Sequence, residues 1–172
     1  TSYYMLGGVQ QAIKDYTKAI ELEPNFPNSY GNRGSSYYFI KEYIKAIKDY
    51  TKVIELSPTD FISYYNRGIS YRQIGEHQKA IEDFSKMIEL NPKYAKSYNN
   101  RGVSYRKLGE HQKAIEDNSK AIELDPDDPM AYNNRGLSYD ELGEHEKAKA
   151  DRAKVEELKK NLKQCILNTR AN

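Results

Sequence analysis

The three histidines of this 172-residue chain are the side chains best suited to chemistry, because imidazole can bind a metal ion or transfer a proton. They are His77, His111 and His145, spaced 34 residues apart. Equal spacing indicates a repeat, and equivalent points of successive packed helical units lie about 10 Å apart. Zinc needs its ligands within about 2.3 Å of one ion. The three histidines therefore cannot converge, and we expect no metal and no cofactor.

Other candidate catalytic groups recur at fixed repeat positions or stand alone. The four Arg-Gly pairs fall inside predicted helices, and the sequence has no Gly-x-Gly-x-x-Gly and no phosphate-binding loop. The single cysteine, Cys165, excludes an internal disulfide and fits a reducing, cytoplasmic compartment. We expect Cys165 to be a small buried apolar residue. The sequence thus predicts that the chain is not an enzyme.

A period of 34 residues organises the whole chain. Proline recurs at 24, 58, 92 and 126, and the Arg-Gly pair keeps the same step. Residues 61–94 and 95–128 are identical at 23 of 34 positions, so one unit is used repeatedly. A 34-residue period with aromatic, Gly, Ala and Pro landmarks is typical of a helix–turn–helix solenoid, whose units bury their apolar faces against their neighbours.

One repeat shows the pattern. In residues 61–94, apolar spacing predicts a first helix at about 62–74 and a second at about 78–90. Gly75 suits a left-handed helix end, and Asn91-Pro92 ends the second helix. The same pattern appears at 28–56, 96–124 and 130–158, and its second half at 10–22.

These elements predict the organisation of the chain. It begins partway through a repeat, so we expect a piece of a longer protein, and an uncovered first repeat is predicted to allow end-to-end self-association. Lys160 replaces a fifth proline, which predicts one long capping helix at about 146–168. The predicted segments are a partial repeat at 1–26 with its helix at about 10–22, repeats at 27–60, 61–94 and 95–128, a first helix at 129–144, and a capping helix and tail at 145–172.

Several recurring residues are expected to pack rather than react. Each mid-helix glycine of the Arg-Gly pairs is predicted to allow a close crossing with an alanine of the second helix. The recurring tyrosines, Tyr3 among them, are expected to fill the space between helices. We also predict that each repeat arginine pairs with a recurring aspartate. These pairs are Arg33 with Asp49, Arg67 with Asp83, Arg101 with Asp117, and Arg135 with Asp151.

The repeated Tyr-x-x-Arg-Gly-x-x-Tyr, followed by Ala, an aromatic residue and Pro, resembles the tetratricopeptide repeat. Tyr replaces the usual Trp and Arg the usual Leu, which marks an Asn-Arg-Gly subtype. Asn118 and Arg152 replace the aromatic residue in the last two repeats. The resemblance covers about residues 1–160. It implies an all-α fold, a right-handed α-solenoid of 34-residue helix–turn–helix repeats.

The resemblance also implies a function: a non-catalytic scaffold that binds a partner's peptide segment in a concave groove lined by the first helix of each repeat. These positions differ between repeats, whereas the core positions do not. The predicted groove residues are Asn32, Asn66, Asn100 and Asn134, with Tyr38, Phe39, Tyr65, Arg72, Lys96, Asn99, Arg106, Lys107 and Asn133.

The four asparagines that precede the Arg-Gly pairs have two interpretations. A side-chain amide offers donors and an acceptor, which match a peptide backbone, and the pattern resembles the asparagine ladder of O-GlcNAc transferase. Alternatively, these amides bond within or between repeats. The carboxylate clamp for chaperone tails fits less well, since of its five positions only Asn66 and Lys96 carry the expected residue types.

Charge gives the predicted groove a polarity. Its early part is aromatic, its middle is basic, and Asp140 and Glu141 make its end acidic. We therefore expect a partner segment with apolar anchors toward the first repeats and acidic residues at the third.

Composition separates the alternative functions. The 27 basic and 25 acidic residues give a net charge of +2 and are mixed throughout, which argues against a nucleic-acid footprint. No apolar run approaches the length of a membrane span. The alternatives are a helical repeat that binds RNA through Tyr65, Arg72, Arg106 and Lys107, or a spacer or oligomerisation segment of a larger protein.

Overall fold

The chain folds into helices that pair as hairpins. A computed structural model describes the backbone of residues 2–170 and the side chains of residues 7–164. Across residues 2–170 it contains nine helices and no strand, which confirms the predicted all-α class and the helix–turn–helix repeats. Contacts divide the chain into two compact units, unit 1 (Thr1–Asn91) and unit 2 (Pro92–Asn172).

Unit 1 holds a single helix followed by two hairpins. Helices α2 and α3 pair with each other, as do α4 and α5, while α1 packs on α2 and α3 packs on α4. Each hairpin therefore buries its apolar side against a neighbour. The helices of unit 1 are α1 (Ser2–Leu22), α2 (Pro27–Phe39), α3 (Tyr43–Leu56), α4 (Phe61–Gln73) and α5 (His77–Leu90).

Unit 2 holds two hairpins. Helix α6 pairs with α7 and α8 pairs with α9, and α8 also contacts both α6 and α7. The last helix is much longer than the second helices of the other hairpins. The helices of unit 2 are α6 (Ala95–Lys107), α7 (His111–Leu124), α8 (Pro129–Glu141) and α9 (His145–Arg170).

The turn inside each hairpin bends at a residue with positive φ. Gly75 has a φ of 80°, and behind it Glu76 N donates to Tyr71 O at 3.0 Å, which satisfies a carbonyl at the end of α4. The predicted left-handed helix end at Gly75 is confirmed. Lys41 occupies the same repeat position with a φ of 63°, a conformation that costs a residue with a Cβ more than it costs glycine.

Helix α1 differs from the prediction at its start. The sequence predicted a helix from about residue 10, whereas α1 begins at Ser2 and continues through Gly7 and Gly8. Gly7 stands at the repeat position of the turn residues Lys41 and Gly75. Apart from the backbone of α1 itself, no described heavy atom lies within 4 Å of the place that a Cβ would take at Gly7 or Gly8. In the described part of the chain, no packing contact requires a turn at Gly7, and α1 continues as a helix through this residue.

The mid-helix glycines of the Arg-Gly pairs permit close helix crossings, although the predicted partner is only partly right. A Cβ on Gly68 would lie 2.9 Å from Phe84 Cε1, so in this repeat the glycine makes room for an aromatic ring rather than for an alanine. At Gly136 the predicted contact is present, since its Cβ position lies 3.4 Å from Ala148 O. The alanines themselves are fully buried.

A buried ion pair joins the two helices of every hairpin. Arg67 Nε donates to Asp83 Oδ2 at 2.8 Å, and Arg67 Nη2 donates to Asp83 Oδ1 at 2.7 Å. Such bidentate pairs are strong and directional. The hydrogen bond to Asp49 raises the pKa of Arg33, against the opposing effect of burial. The predicted pairing is confirmed at Arg33–Asp49, Arg67–Asp83, Arg101–Asp117 and Arg135–Asp151.

The same guanidinium group contacts two tyrosines and the preceding repeat. Arg67 Cζ lies 5.7 Å from the centroid of the Tyr64 ring and 5.9 Å from that of Tyr71, within the range of a cation–π interaction. Its Nη1 donates to Thr51 Oγ1 of the preceding repeat at 3.0 Å. Equivalent bonds in both units run from Arg33 to Thr17 and from Arg135 to Ser119.

The tyrosines divide between the core and this arginine. Tyr30 and Tyr132 are buried, as expected of residues that fill the space between helices, whereas Tyr71 is half-buried and contacts the guanidinium. The predictions for Tyr3 and Cys165 fall outside the described side chains.

Replacing Asp83 with alanine is expected to lower the free energy of unfolding by about 3 kcal/mol, because it leaves the charge of Arg67 buried without its carboxylate. Glu82→Ala is the matched control, since Glu82 is exposed on the same helix. Urea denaturation followed by circular dichroism measures both variants. A free energy of unfolding for Asp83→Ala equal to that of the control would show that the pair contributes nothing to stability.

Candidate functional site

The first helices of unit 1 border an open pocket. It lies among α2, α3 and α4 and has a volume of about 380 Å³. Its walls combine apolar groups with amides and hydroxyls, and it carries one charged side chain, Asp60, whose carboxylate accepts a hydrogen bond from Ser63 N. We call it the Gly31 pocket; its main lining residues are Gly31, Asn32, Tyr50, Val53, Ile62 and Asn66.

Two of the predicted asparagines belong to this pocket. Asn32 is exposed and Asn66 is half-buried, and both line the opening. Below them, the Tyr50 hydroxyl and Ser35 Oγ lie 3.1 Å apart in a hydrogen bond. Burial raises the pKa of Tyr50, while its hydrogen bond with Ser35 works in the opposite direction. The phenol therefore stays neutral, and the floor of the pocket is uncharged.

The asparagines of unit 2 have bonds of their own. Asn134 Nδ2 donates to Asn99 Oδ1 at 2.6 Å, and both residues are buried. Asn100 Nδ2 donates to Lys96 O, one turn earlier on the same helix, at 2.8 Å. The structure thus shows bonds between and within repeats for Asn134 and Asn100, and an exposed or half-exposed position for Asn32 and Asn66.

The predicted aromatic residues lie at different depths. Phe39 is 57% exposed at the end of α2. Tyr38 packs against Tyr43 with ring centroids 5.4 Å apart, and its hydroxyl accepts a hydrogen bond from Gln73 Nε2 at 3.4 Å. Tyr65 packs against a buried phenylalanine of α5. Of the three, Phe39 offers the most apolar surface to a partner.

The predicted basic residues also differ in their surroundings. Arg72 in unit 1 is half-buried, and burial lowers its pKa. Arg106 in unit 2 is half-buried as well, and its Nε is a buried donor with no hydrogen-bond partner among the described side chains. Lys96, Lys107 and Asn133 are exposed. Unit 2 therefore presents two exposed lysines and a half-buried arginine at the predicted positions.

The acidic end of the predicted groove is partly neutralised. Asp140 forms an ion pair with Arg152, and its Oδ1 lies 3.2 Å from His145 Nδ1. The hydrogen bond from Arg152 lowers the pKa of Asp140. Sequence reasoning missed this pair, although Arg152 stands at the repeat position where other repeats carry a buried residue such as Phe84.

Sequence reasoning also missed the pocket itself. It assigned neither Gly31 nor Val53 a part in binding. A signal was available, because the position of Gly31 is tyrosine in the next repeat, at Tyr65. A glycine in place of a large side chain predicts a gap.

Two other kinds of site are not found in the described part of the molecule. Among the side chains of residues 7–164, no group of three or more His, Cys, Asp or Glu residues could hold a metal ion. None of the helices that the structure describes has the length and apolar character needed to span a bilayer.

Comparison with known proteins supports the repeat assignment. The profile of the tetratricopeptide repeat matches residues 27–60, 61–94 and 95–128. Two further tetratricopeptide profiles match residues 119–150 and 2–41. No curated protein is significantly similar to this chain in sequence.

Solved structures give the same result. A crystal structure of MamA is 31% identical, covers 95% of this chain and 95% of its own, and has a TM-score of 0.89. The first tetratricopeptide domain of Spaghetti (RPAP3), bound to the HSP90 peptide SRMEEVD, is 26% identical over 68% of this chain and 93% of its own, with a TM-score of 0.67.

YrrB, described as a tetratricopeptide protein with an unusual peptide-binding site, is 19% identical. It covers 97% of this chain and 86% of its own, with a TM-score of 0.80, and at this identity the likeness shows the fold alone. The three profile matches that together span most of the chain establish its family. The chain belongs to the tetratricopeptide repeat family.

Proposed function

We propose that this chain is a non-catalytic scaffold that binds a peptide segment of a partner protein through the first helices of its repeats. The observation that carries the proposal is the Gly31 pocket, whose lining includes Asn32 and Asn66. Tetratricopeptide domains bind proteins, and the RPAP3 domain was solved with a peptide bound. A cytoplasmic location is part of the proposal, because the single cysteine fits a reducing compartment.

The two amides suit a peptide backbone. Each side-chain amide supplies an acceptor oxygen and two N–H donors, which match the alternating C=O and N–H groups of an extended segment. Asn32 and Asn66 stand at equivalent positions of successive repeats, so they would contact the segment at two separate points. Further contacts on the same helices would come from Tyr38, Phe39, Tyr65 and Arg72 in unit 1.

Unit 2 adds a preference for acidic residues. Arg106 and Lys107 lie in the last turn of α6, and Arg106 Nε is the buried donor without a partner described above. A carboxylate of the partner would be attracted by the charges of Arg106 and Lys107. The other proposed contacts of unit 2 are Lys96, Asn99, Asn100, Asn133 and Asn134.

The ligand differs from the acidic chaperone tail that RPAP3 binds. The carboxylate clamp would need Lys, Asn and Arg at the three positions where this chain has Gly31, Ser35 and Asn100. A peptide such as SRMEEVD would therefore find an incomplete clamp.

Asn66→Ala is expected to weaken binding about tenfold, because it removes up to two hydrogen bonds that contribute about 1 kcal/mol or less each in solution. The probe is a set of 15-residue peptides selected against the wild-type chain from a displayed random library, and binding is measured by fluorescence anisotropy. The control is Asn25→Ala, an exposed asparagine in the turn before α2. Equal affinity of both variants for every selected peptide would contradict the proposal.

Reversing two charges of α6 tests the acidic preference. The double change Arg106→Glu, Lys107→Glu is expected to weaken acidic selected peptides at least about tenfold at low salt, and the difference should shrink as salt screens the charges. Lys149→Glu with Lys160→Glu is the control, since it makes the same change in net charge on exposed positions of α9. If the affinity for acidic peptides changes neither with ionic strength nor with the double change in α6, this mode of binding is ruled out.

A second proposal concerns self-association through α1. Ala12 and Tyr16 of α1 are half-buried, whereas their repeat equivalents Ala46 and Tyr50 are 0% and 2% exposed. The part of α1 that other repeats cover completely is thus accessible, and a second copy of the chain would bury it.

Light scattering over a range of concentrations is expected to show a molecular mass that increases with concentration, because association would bury the half-exposed side chains of Ala12 and Tyr16. Tyr16→Lys should remove the increase, whereas Gln10→Lys, an exposed position on the same helix, should not. A mass equal to that of the monomer at every concentration would rule out self-association.

A further inference from the structure

Gly31 has no steric reason to be glycine. A Cβ at this position would lie 3.8 Å from Val53 Cγ2, an ordinary van der Waals contact. At Gly34, three residues along the same helix, a Cβ would lie 3.0 Å from Tyr50 Cε1, so glycine is needed there. Glycine inside a helix destabilises it relative to alanine. The residue at 31 therefore leaves space without a packing benefit to the helix.

The next repeat shows one side chain that fills the equivalent space. Tyr65 stands 34 residues after Gly31, and its ring packs against Phe84 with centroids 5.9 Å apart and ring planes inclined by 59°. Tyr50, which lines the Gly31 pocket, stands at the repeat position of Phe84. The pocket is thus the place where an aromatic ring would lie beside Tyr50, as Tyr65 lies beside Phe84.

The walls fit a neutral aromatic side chain. Val53 and Ile62 supply apolar surface, and Asn32 and Asn66 place amides at the opening. The single charged residue of the lining is Asp60, and the lining contains no lysine or arginine, so an acidic side chain would be repelled. The volume of about 380 Å³ lies within the range of ligand pockets, roughly 300–1,000 Å³.

We propose that the Gly31 pocket holds one aromatic side chain of the partner segment, a tyrosine above all, in the position that Tyr65 occupies in the following repeat. The ring packs against Val53, Ile62 and Tyr50. The phenol hydroxyl, or the main chain beside it, bonds with the amides at the opening. This inference rests on the proposed peptide-binding function and specifies the residue type that the first complete repeat accepts.

The test uses N-acetyl-tyrosine amide as the probe and NMR of the ¹⁵N-labelled full chain. Titration is expected to give saturable shifts of the Gly31 and Val53 backbone amides and of the Asn32 and Asn66 side-chain amides. N-acetyl-leucine amide should bind more weakly, and N-acetyl-glutamic acid amide should cause no saturable shift of these resonances. Absence of saturable shifts with the tyrosine probe, or shifts confined to other residues, would overturn the proposal.

Two variants fill the pocket from within. Gly31→Tyr introduces the residue of the next repeat, and Gly31→Gln introduces a long helix-forming side chain. Each is expected to weaken the tyrosine probe at least about tenfold, while Gly31→Ala should stay close to wild type because its methyl group makes an ordinary contact. Lys149→Tyr, which places a new tyrosine at an exposed position of α9, is the control.

Thermal unfolding followed by circular dichroism verifies that each variant is folded. If Gly31→Tyr does not fold, the result is taken from Gly31→Gln. The peptides selected against the wild-type chain separate this inference from the function on which it rests. If those peptides bind the filled variants as tightly as wild type but lose affinity for Asn66→Ala, peptide binding stands and the aromatic pocket is wrong. If the selected peptides also bind the filled variants more weakly than wild type, the pocket is the anchor site.

Discussion

The bidentate pair between an arginine of the first helix and an aspartate of the second is the interaction on which each hairpin depends. Arg67 and Asp83 are 17% and 6% exposed, so both charges have lost most of their water. Neither can be accommodated alone, because an uncompensated buried charge is strongly destabilising. The geometry of one side chain thus requires that of the other, and with it the crossing of the two helices. A hydrogen bond from the same guanidinium to Thr51 extends the constraint to the preceding repeat in unit 1. The rings of two tyrosines of the same helix flank the guanidinium.

This constraint separates scaffold from recognition. The paired residues, their tyrosines and the buried alanines recur with the period of the chain. Apart from the four asparagines before the Arg-Gly pairs, most residues proposed to contact a partner differ between repeats. Position 31 is glycine where the next repeat has Tyr65, and the same register becomes Asn99 in unit 2, where the amide bonds to Asn134. Because the ion pairs already fix the backbone, the side chains at such positions can differ in size and polarity without loss of the fold. These differences give each repeat its own contacts.

The features that recur could be predicted from the sequence, and those that do not recur could not. The hairpins, the left-handed turn at Gly75 and the Arg–Asp pairs follow from residues that repeat in register, so one unit predicts the others. The straight course of α1 through Gly7 could not be predicted, because a turn there depends on packing that the sequence pattern does not report. The Asn134–Asn99 bond and the gap at Gly31 likewise depend on how side chains from different helices meet.

The central claim is that the buried ion pair acts as a unit that holds the hairpin. A double-mutant cycle with Arg67→Met and Asp83→Leu, followed by urea denaturation, measures this most directly. We expect the double variant to lose less stability than the sum of the losses of the two single variants, because each single change leaves one charge buried without its partner. The expected coupling energy is at least about 2 kcal/mol. A coupling energy near zero would mean that the two residues act independently, and would contradict the account.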